Sequence, residues 1–439
     1  MFIKTITSNE DVIYLNRKAI WKHRIPSRYM IFKFGQWQRP IRIQLSYQMD
    51  ADTIGLSSKL ASAISMPSKI PYELKVTNKT LQIGPVIAIC VCKFNSSLSY
   101  SRMAGELPRF TKYKEIQGVM FLFAAEGVNT NKKTIDGYYY APNQNDLEKK
   151  FVKSSIPYPD AVYIRAKMDE RVINDIKSEI GDKLFNDFNY DKLQLWNWVK
   201  NNEHLKQLFP YTEQVKSPEH VIKILDDFRA VYLKPTAGSK AKGIIYVAKK
   251  EGQYLVKEHQ KTKFKKYRKQ GLLKYLQKIS GKTYLVQQSI EVAHGNRRVD
   301  IRVYMQRNKQ GAWESPGFIV RFAKKGKITT NPTATNIDQV HKGINPLMQV
   351  YGITEIEARS LERKMFTTCK ELCEYVDKQR GHYADVAIDL IVDYNLDIWF
   401  LEVNKRLLTN TLMLLDDKKE LFYKVKSKPI EYAKAIAGF

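Results

Sequence analysis

Apolar and polar residues alternate over 41–47 and again over 72–76, which is the period of a half-buried strand. Between them 54–64 reads as a helix, and Pro67, Pro71 and the Gly84-Pro85 pair punctuate the stretch. A small β-rich domain over 1–84 is predicted. From Val86 the pattern changes. Residues 86–91 and 119–123 are nearly continuous apolar runs, as buried strands of a parallel sheet are. Residues 135–140 and 161–164 supply two more strands, while 154–160, with Pro157 and Pro159, reads as a loop. This predicts a Rossmann-like α/β domain over 85–185. It carries no Gly-x-Gly-x-x-Gly, so no dinucleotide is assigned to it. From 186 to 439 short apolar runs continue, and residues bearing chemistry accumulate among them.

Composition narrows the picture. A chain of 439 residues with 44% hydrophobic and 12% aromatic content is long and apolar enough for two or three globular domains. No run reaches the ~20 apolar residues of a membrane span. The first ten residues lack the apolar core and cleavage site of a signal peptide, so a soluble cytoplasmic protein is expected. Cys90 and Cys92, and Cys369 and Cys373, lack the spacing of a zinc or redox pair and read as small apolar residues.

The net charge of +28 raises the possibility of a nucleic-acid or acidic partner. Its densest cluster is 261–269, which with its continuation carries Phe264, Tyr267, Leu272, Leu276 and Ile279 at roughly helical spacing, a basic amphipathic helix over 261–279. A solvated charged face over an apolar stripe accounts for it. With no zinc finger, RNA-binding strand motif or heptad zipper, nucleic acid is not the expected partner.

The chemistry gathers in order along the last part of the chain. A strand ends at Lys234-Pro235 and runs into a small-residue loop with Gly238, Ser239, Lys240, Lys242 and Gly243 before a second strand. Glycines there let backbone N–H groups approach phosphate oxygens, although a hairpin of this kind is usually only a turn. Next come a strand with Gln287 and Gln288, then Asp300-Ile-Arg302 with both charges on one face, then Arg321. Two guanidiniums on neighbouring strands suit a phosphoryl group, whereas a single arginine usually ends in a surface ion pair. Residues 385–404 read as two strands joined by a turn, with Asp389 on the first and Glu402-Val-Asn404 closing the second. Alternation along a strand puts Glu402 and Asn404 on one face. Two carboxylates and an amide oxygen are hard ligands of the kind that hold Mg²⁺ beside phosphate.

That ordered set resembles the ATP-grasp superfamily over 186–439. More narrowly it resembles the YheC/YheD-type ATP-grasp proteins associated with endospore coats, on the segments 83–89, 157–163, Leu-Lys234-Pro, Val-Gln287-Gln288 and Asp300-Ile-Arg302-Val. The resemblance implies a multidomain α+β and α/β protein, with two α+β lobes around a nucleotide cleft behind the two smaller domains. It implies ATP and Mg²⁺ (or Mn²⁺) as cofactors. Lys192 and Lys234 are implied near the phosphates, with Gly238 to Gly243, including Ser239 and Lys242, as the loop over them. Gln287, Gln288 and Ile290 are implied at the adenine, and Arg302 and Arg321 at the γ-phosphate or an acyl phosphate. Asp389, Glu402 and Asn404 are implied at the metal, and Asp300 either at the ribose or orienting Arg302. The implied reaction joins a carboxylate, through an acyl phosphate, to an amine or other nucleophile, on a peptide, protein or envelope precursor.

Two segments depart from the pattern. After Asn404 the chain reads Lys405-Arg406-Leu-Leu-Thr-Asn410 in place of small residues and Pro-Gly, and 329–336 lacks paired glycines. Either the acceptor is unusual, acidic in view of Lys405 and Arg406, or ligation is lost. In the second case the protein binds nucleotide as a structural or assembly component of the spore coat.

Overall fold

The computed structural model describes residues 1–439 except 237–241, 260, 262, 280–282, 291, 296, 331–336, 406–408 and 416–418. Among the described residues the chain builds four sheets in sequence order. The first has seven strands and uses Phe2–Ile6 through Thr80–Gly84. The alternation at 41–47 becomes the strand Trp37–Leu45. The stretch 54–64 divides instead: Thr53–Ser57 is a buried strand, and only Ser58–Ile64 is helical. The Ser57 side chain accepts from the Leu60 N–H and starts the helix there.

The second sheet is centred on Val86–Cys92, all of whose residues are buried, paired in parallel with Val119–Asn129 and with Ala161–Ile164. Its far side is antiparallel. Residues 154–157, expected in a loop, belong to the strand Phe151–Pro157, which pairs with Thr134–Tyr140. Pro157 is tolerated because this strand lies at the edge of the sheet and ends on the proline.

The third sheet is antiparallel throughout, with Ala230–Pro235 between Tyr284–Gln288 and Ile245–Lys250. The basic stretch also divides: Lys265–Tyr267 is a strand on the open edge of this sheet, and the helix is Lys269–Gln277. Leu272 and Leu276 are buried as the spacing predicts, while Phe264 is exposed. The fourth sheet places Arg297–Arg307 between Trp313–Ala323 and Asp385–Val392, with Ile398–Asn404 beyond the latter. The helix Glu355–Asp377 packs its Leu361, Met365, Cys369, Leu372 and Cys373 face into the same core as Ile301, Val303 and Val320. Both cysteines of that helix are therefore core residues, as read from the sequence.

The last helix, Glu420–Ala437, couples two sheets. Its first part packs with Tyr304 and Ile319 of the fourth sheet, and its second part, Ile430, Tyr432, Ala433 and Ala437, with Ile87 and Ile89 of the second. Close by, the Tyr163 hydroxyl of the second sheet donates to Asp385 of the fourth, and Gln306 Nε2 donates to the other oxygen of that carboxylate at 2.7 Å. The second and fourth sheets are thus locked by apolar packing and by a buried polar contact. No helix among the described residues is long and apolar enough to cross a membrane.

Candidate nucleotide and metal site

Register sets the site. In the fourth sheet Asp300 lies opposite Arg321, Arg302 opposite Asp389, and Asp389 opposite Glu402. Opposite charges facing each other across neighbouring strands attract, whereas the like-charged Asp389 and Glu402 need a cation between or beside them. Arg321 Nε and Nη2 donate to the two oxygens of Asp300, each at 2.7 Å, and Nη2 also lies 3.2 Å from Asp389 Oδ1. Arg302 Nε and Nη2 donate to the two oxygens of Asp389 at 2.7 and 2.9 Å. Thr330 donates its hydroxyl to Asp300. Burial alone would raise the Asp389 pKa, but the Arg302 and Arg321 guanidiniums outweigh it and hold the carboxyl well below the usual carboxylate range. Asp389 is ionised at any physiological pH.

Opposite this sheet stand the lysines. Lys234 ends the central strand of the third sheet and donates to Gln287 Oε1 on the neighbouring strand. Gln287 in turn donates Nε2 to Thr212 Oγ1 at 2.9 Å. Burial, together with Lys192, brings the Lys234 pKa down to about 8, and the carboxylates of Glu402 and Asp389 partly oppose that fall. Lys192 opens the helix Lys192–Val199, whose start is fixed by a capping box between Asp191 and Gln194. Its ammonium lies 3.2 Å from Glu402 Oε1.

These groups surround one cleft of about 870 Å³, its open mouth included. Lys192, Lys234, Gln287, Gln288, Ile290, Asp300, Arg321, Asp389 and Glu402 all line it, so most of the residues singled out in the sequence converge. Asn404 reaches the rim of the acidic pair, donating Nδ2 to Asp389 Oδ2 at 3.2 Å. Arg302 does not line the cleft, and its Nε and Nη2 are spent on Asp389. The Asp300 carboxylate grips Arg321, not Arg302, and also lines the cleft. Gly238 and Ser239 lie outside the described residues. Gly243 closes the loop at φ +78°, where an added Cβ would come within 3.0 Å of the Pro235 ring, so both backbone and space favour glycine. Lys242, beside it, is exposed.

Sequence reasoning missed part of the wall. Tyr232, Ile244, Val292, Ile328, Ile391 and Leu401 give the cleft an apolar side. Arg298 also lines it, with its guanidinium over the rings of Tyr232 at 5.6 Å and Tyr246 at 4.8 Å. Leu401 and Glu402 are consecutive yet both face the cleft, because the pairing slips between Asp389 and Leu390. Such a bulge breaks strict alternation. Lys405, read as a charge for an acidic acceptor, has its ammonium on the Tyr190 carbonyl and over the Tyr190 ring at 3.6 Å. Arg406 lies outside the described residues.

The donors present suit a triphosphate and a divalent ion. Arg321 Nη1 is buried with no hydrogen-bond partner among the described residues, although Arg321 lines the cleft. A guanidinium N–H left unpaired and buried is costly unless an anion completes it. Among the described residues no three His, Cys, Asp or Glu side chains gather as a metal cluster. A cation here would therefore rest on Asp389, Glu402 and the Asn404 amide oxygen, the sparse oxygen set that Mg²⁺ accepts when phosphate and water complete its shell.

Residues 181–436 match the model of YheC/D-like ATP-grasp domains. Over 388 residues, 83% of this chain and 82% of the relative, the chain is 23% identical to the endospore coat-associated protein YheD of Bacillus subtilis. Over 253 residues, 55% of this chain and 67% of the relative, it is 22% identical to the endospore coat-associated protein YheC of the same organism. Among solved structures, D-alanyl-alanine synthetase A of Vibrio cholerae is similar at 12% identity and a TM-score of 0.44, covering 79% of this chain and 99% of that one. With the family model spanning more than half of its length, the chain belongs to the YheC/D-like ATP-grasp family.

Proposed function

We propose that the protein binds ATP with a divalent cation in this cleft and uses it to join a carboxylate to an amine or other nucleophile. The observation that carries the reading is Arg321 Nη1, buried and unpartnered among the described residues, on an arginine that shares one cleft with two lysines and three carboxylates. In this reading the apolar wall takes the adenine, with Gln287 and Gln288 at its edge. Lys192, Lys234 and Arg321 face the phosphates, and Asp389, Glu402 and Asn404 hold Mg²⁺ or Mn²⁺. Held there, the ion would supply positive charge to offset that of the phosphates. Arg302 acts one step back, fixing the Asp389 carboxylate through two hydrogen bonds.

A substrate carboxylate oxygen then attacks the γ-phosphorus, the bond to the β–γ bridging oxygen breaks, and ADP leaves. The nucleophile next attacks the acyl carbon, phosphate departs, and the nucleophile loses its proton to solvent. Positioning and charge stabilisation are what the protein contributes. Peptidic or envelope carboxylates are the donors we favour, with the spore coat as a setting because both relatives are named for it. Hydroxylamine intercepts acyl phosphates as hydroxamates. Protein incubated with ATP, Mg²⁺, hydroxylamine and a spore-former extract is expected to yield an ATP-dependent hydroxamate by mass spectrometry. Its absence alongside tight ATP binding would instead support a nucleotide-binding assembly protein. The engagement of Lys405 with Tyr190 favours that second reading, since it ties up one charge expected at an acceptor site.

A further inference from the structure

The first 84 residues carry five exposed large apolar side chains: Phe2, Trp21, Tyr29, Leu45 and Tyr47. Strand register puts all five at the same end of the seven-stranded sheet. Phe2 opens its strand opposite Thr53, the first residue of Thr53–Ser57. That strand is antiparallel to Val12–Leu15, whose last residue lies opposite both Ile54 and Leu45. Tyr29 opens the strand antiparallel to Trp37–Leu45, and Arg28 just before it accepts from the Ile43 N–H. Tyr47 follows Leu45 in a turn tied back by Ser46 N–H to Leu15 O at 2.9 Å. The connection 16–28, which bears Trp21 on the short helix Arg17–Lys22, joins Leu15 to Tyr29 and so caps this end.

The same end is strongly basic. The connection 16–28 at this end holds five lysines and arginines and no acid. Arg39 and Arg42 are paired with Asp11 and Glu10. Arg17, Lys18, Lys22, Arg24 and Arg28 are exposed and make no ion pair among the described residues. Asp50 and Asp52 are the carboxylates that share this end, and they are outnumbered. Nothing in the nucleotide chemistry uses any of these groups.

We propose that this end of the N-terminal sheet docks on an anionic lipid surface. Trp21 is 84% and Tyr29 73% exposed, so these rings protrude instead of lining a groove. A groove with stacked rings is what a single-stranded nucleic acid needs. Protruding indole and phenol rings at the same sheet end as Phe2 and Leu45, with the ammonium and guanidinium groups of the connection 16–28, match the headgroup boundary of a bilayer with negative charge. The full-length protein is to be sedimented with phosphatidylcholine vesicles, with and without phosphatidylglycerol. Binding is expected only where phosphatidylglycerol is present, and it should weaken as salt rises. The fluorescence of Trp21 should shift to the blue on binding, a change missing from Trp21→Ala. Trp21→Ala/Tyr29→Ala should lower binding by about tenfold or more, since two rings leave the interface. Circular dichroism of the variant should be unchanged, because both side chains are exposed. Failure to bind charged vesicles, or binding untouched by the double substitution, overturns the proposal. So does labelled single-stranded RNA that displaces the vesicles and shifts the same Trp21 emission.

Discussion

Arg321→Met is expected to destabilise the C-terminal part of the protein by about 3–5 kcal/mol, the usual penalty for removing one partner of a buried ion pair. Arg321 is 1% exposed and donates twice to Asp300, which is itself buried, and once to Asp389. Methionine fills similar space but leaves the Asp300 carboxylate, among the described residues, with only the Thr330 hydroxyl. Asp389 suffers less, since Arg302 still grips both its oxygens. Adding Asp300→Asn to Arg321→Met removes the stranded charge, so the double variant should be more stable than the single one. Urea denaturation followed by circular dichroism reads both. A single variant as stable as the wild type would show that the pairing seen across these strands contributes nothing.

The largest effect on activity is expected at Glu402. Its side chain is 38% exposed, so alanine should leave the fold intact. It nevertheless faces Lys192 at 3.2 Å and lies opposite Asp389 in register, where a shared cation would sit. Glu402→Ala should therefore lower ATP turnover by roughly 10²–10³-fold or more, the scale found when one preorganised charge contact to a transition state is lost. Lys234→Ala should act as strongly through the phosphates. Release of ADP, measured beside native circular dichroism for each variant, checks both. Unchanged turnover in the two variants would reject the assignment of this cleft.

Much of the site was legible because its parts are local. Asp300 and Arg302 alternate on one strand, Glu402 and Asn404 close another, and Lys234 ends a third. Each position follows from strand period and punctuation. What was not legible is set by register between distant segments. Nothing local tells Asp300 to pair with Arg321 and not Arg302, since that choice depends on how 297–307 slides against 313–323. The slip after Asp389, which turns Leu401 and Glu402 the same way, is also a property of two strands together. Elsewhere, 154–160 reads as a loop because of Pro157 and Pro159, yet an edge position lets 151–157 be a strand. The division of 54–64 and of 261–279 into strand and helix reflects sheet pairing overriding a helical apolar spacing. The return of 430–437 to the second sheet joins segments more than 300 residues apart, and no periodicity records that.

Calorimetric titration of ATP into the wild-type protein, once with Mg²⁺ and once after chelation, goes most directly to the shared site of triphosphate and cation. A single saturable event that needs Mg²⁺ for full affinity is the expected result. Heat of dilution alone in the presence of Mg²⁺, or an affinity indifferent to the metal, would contradict it.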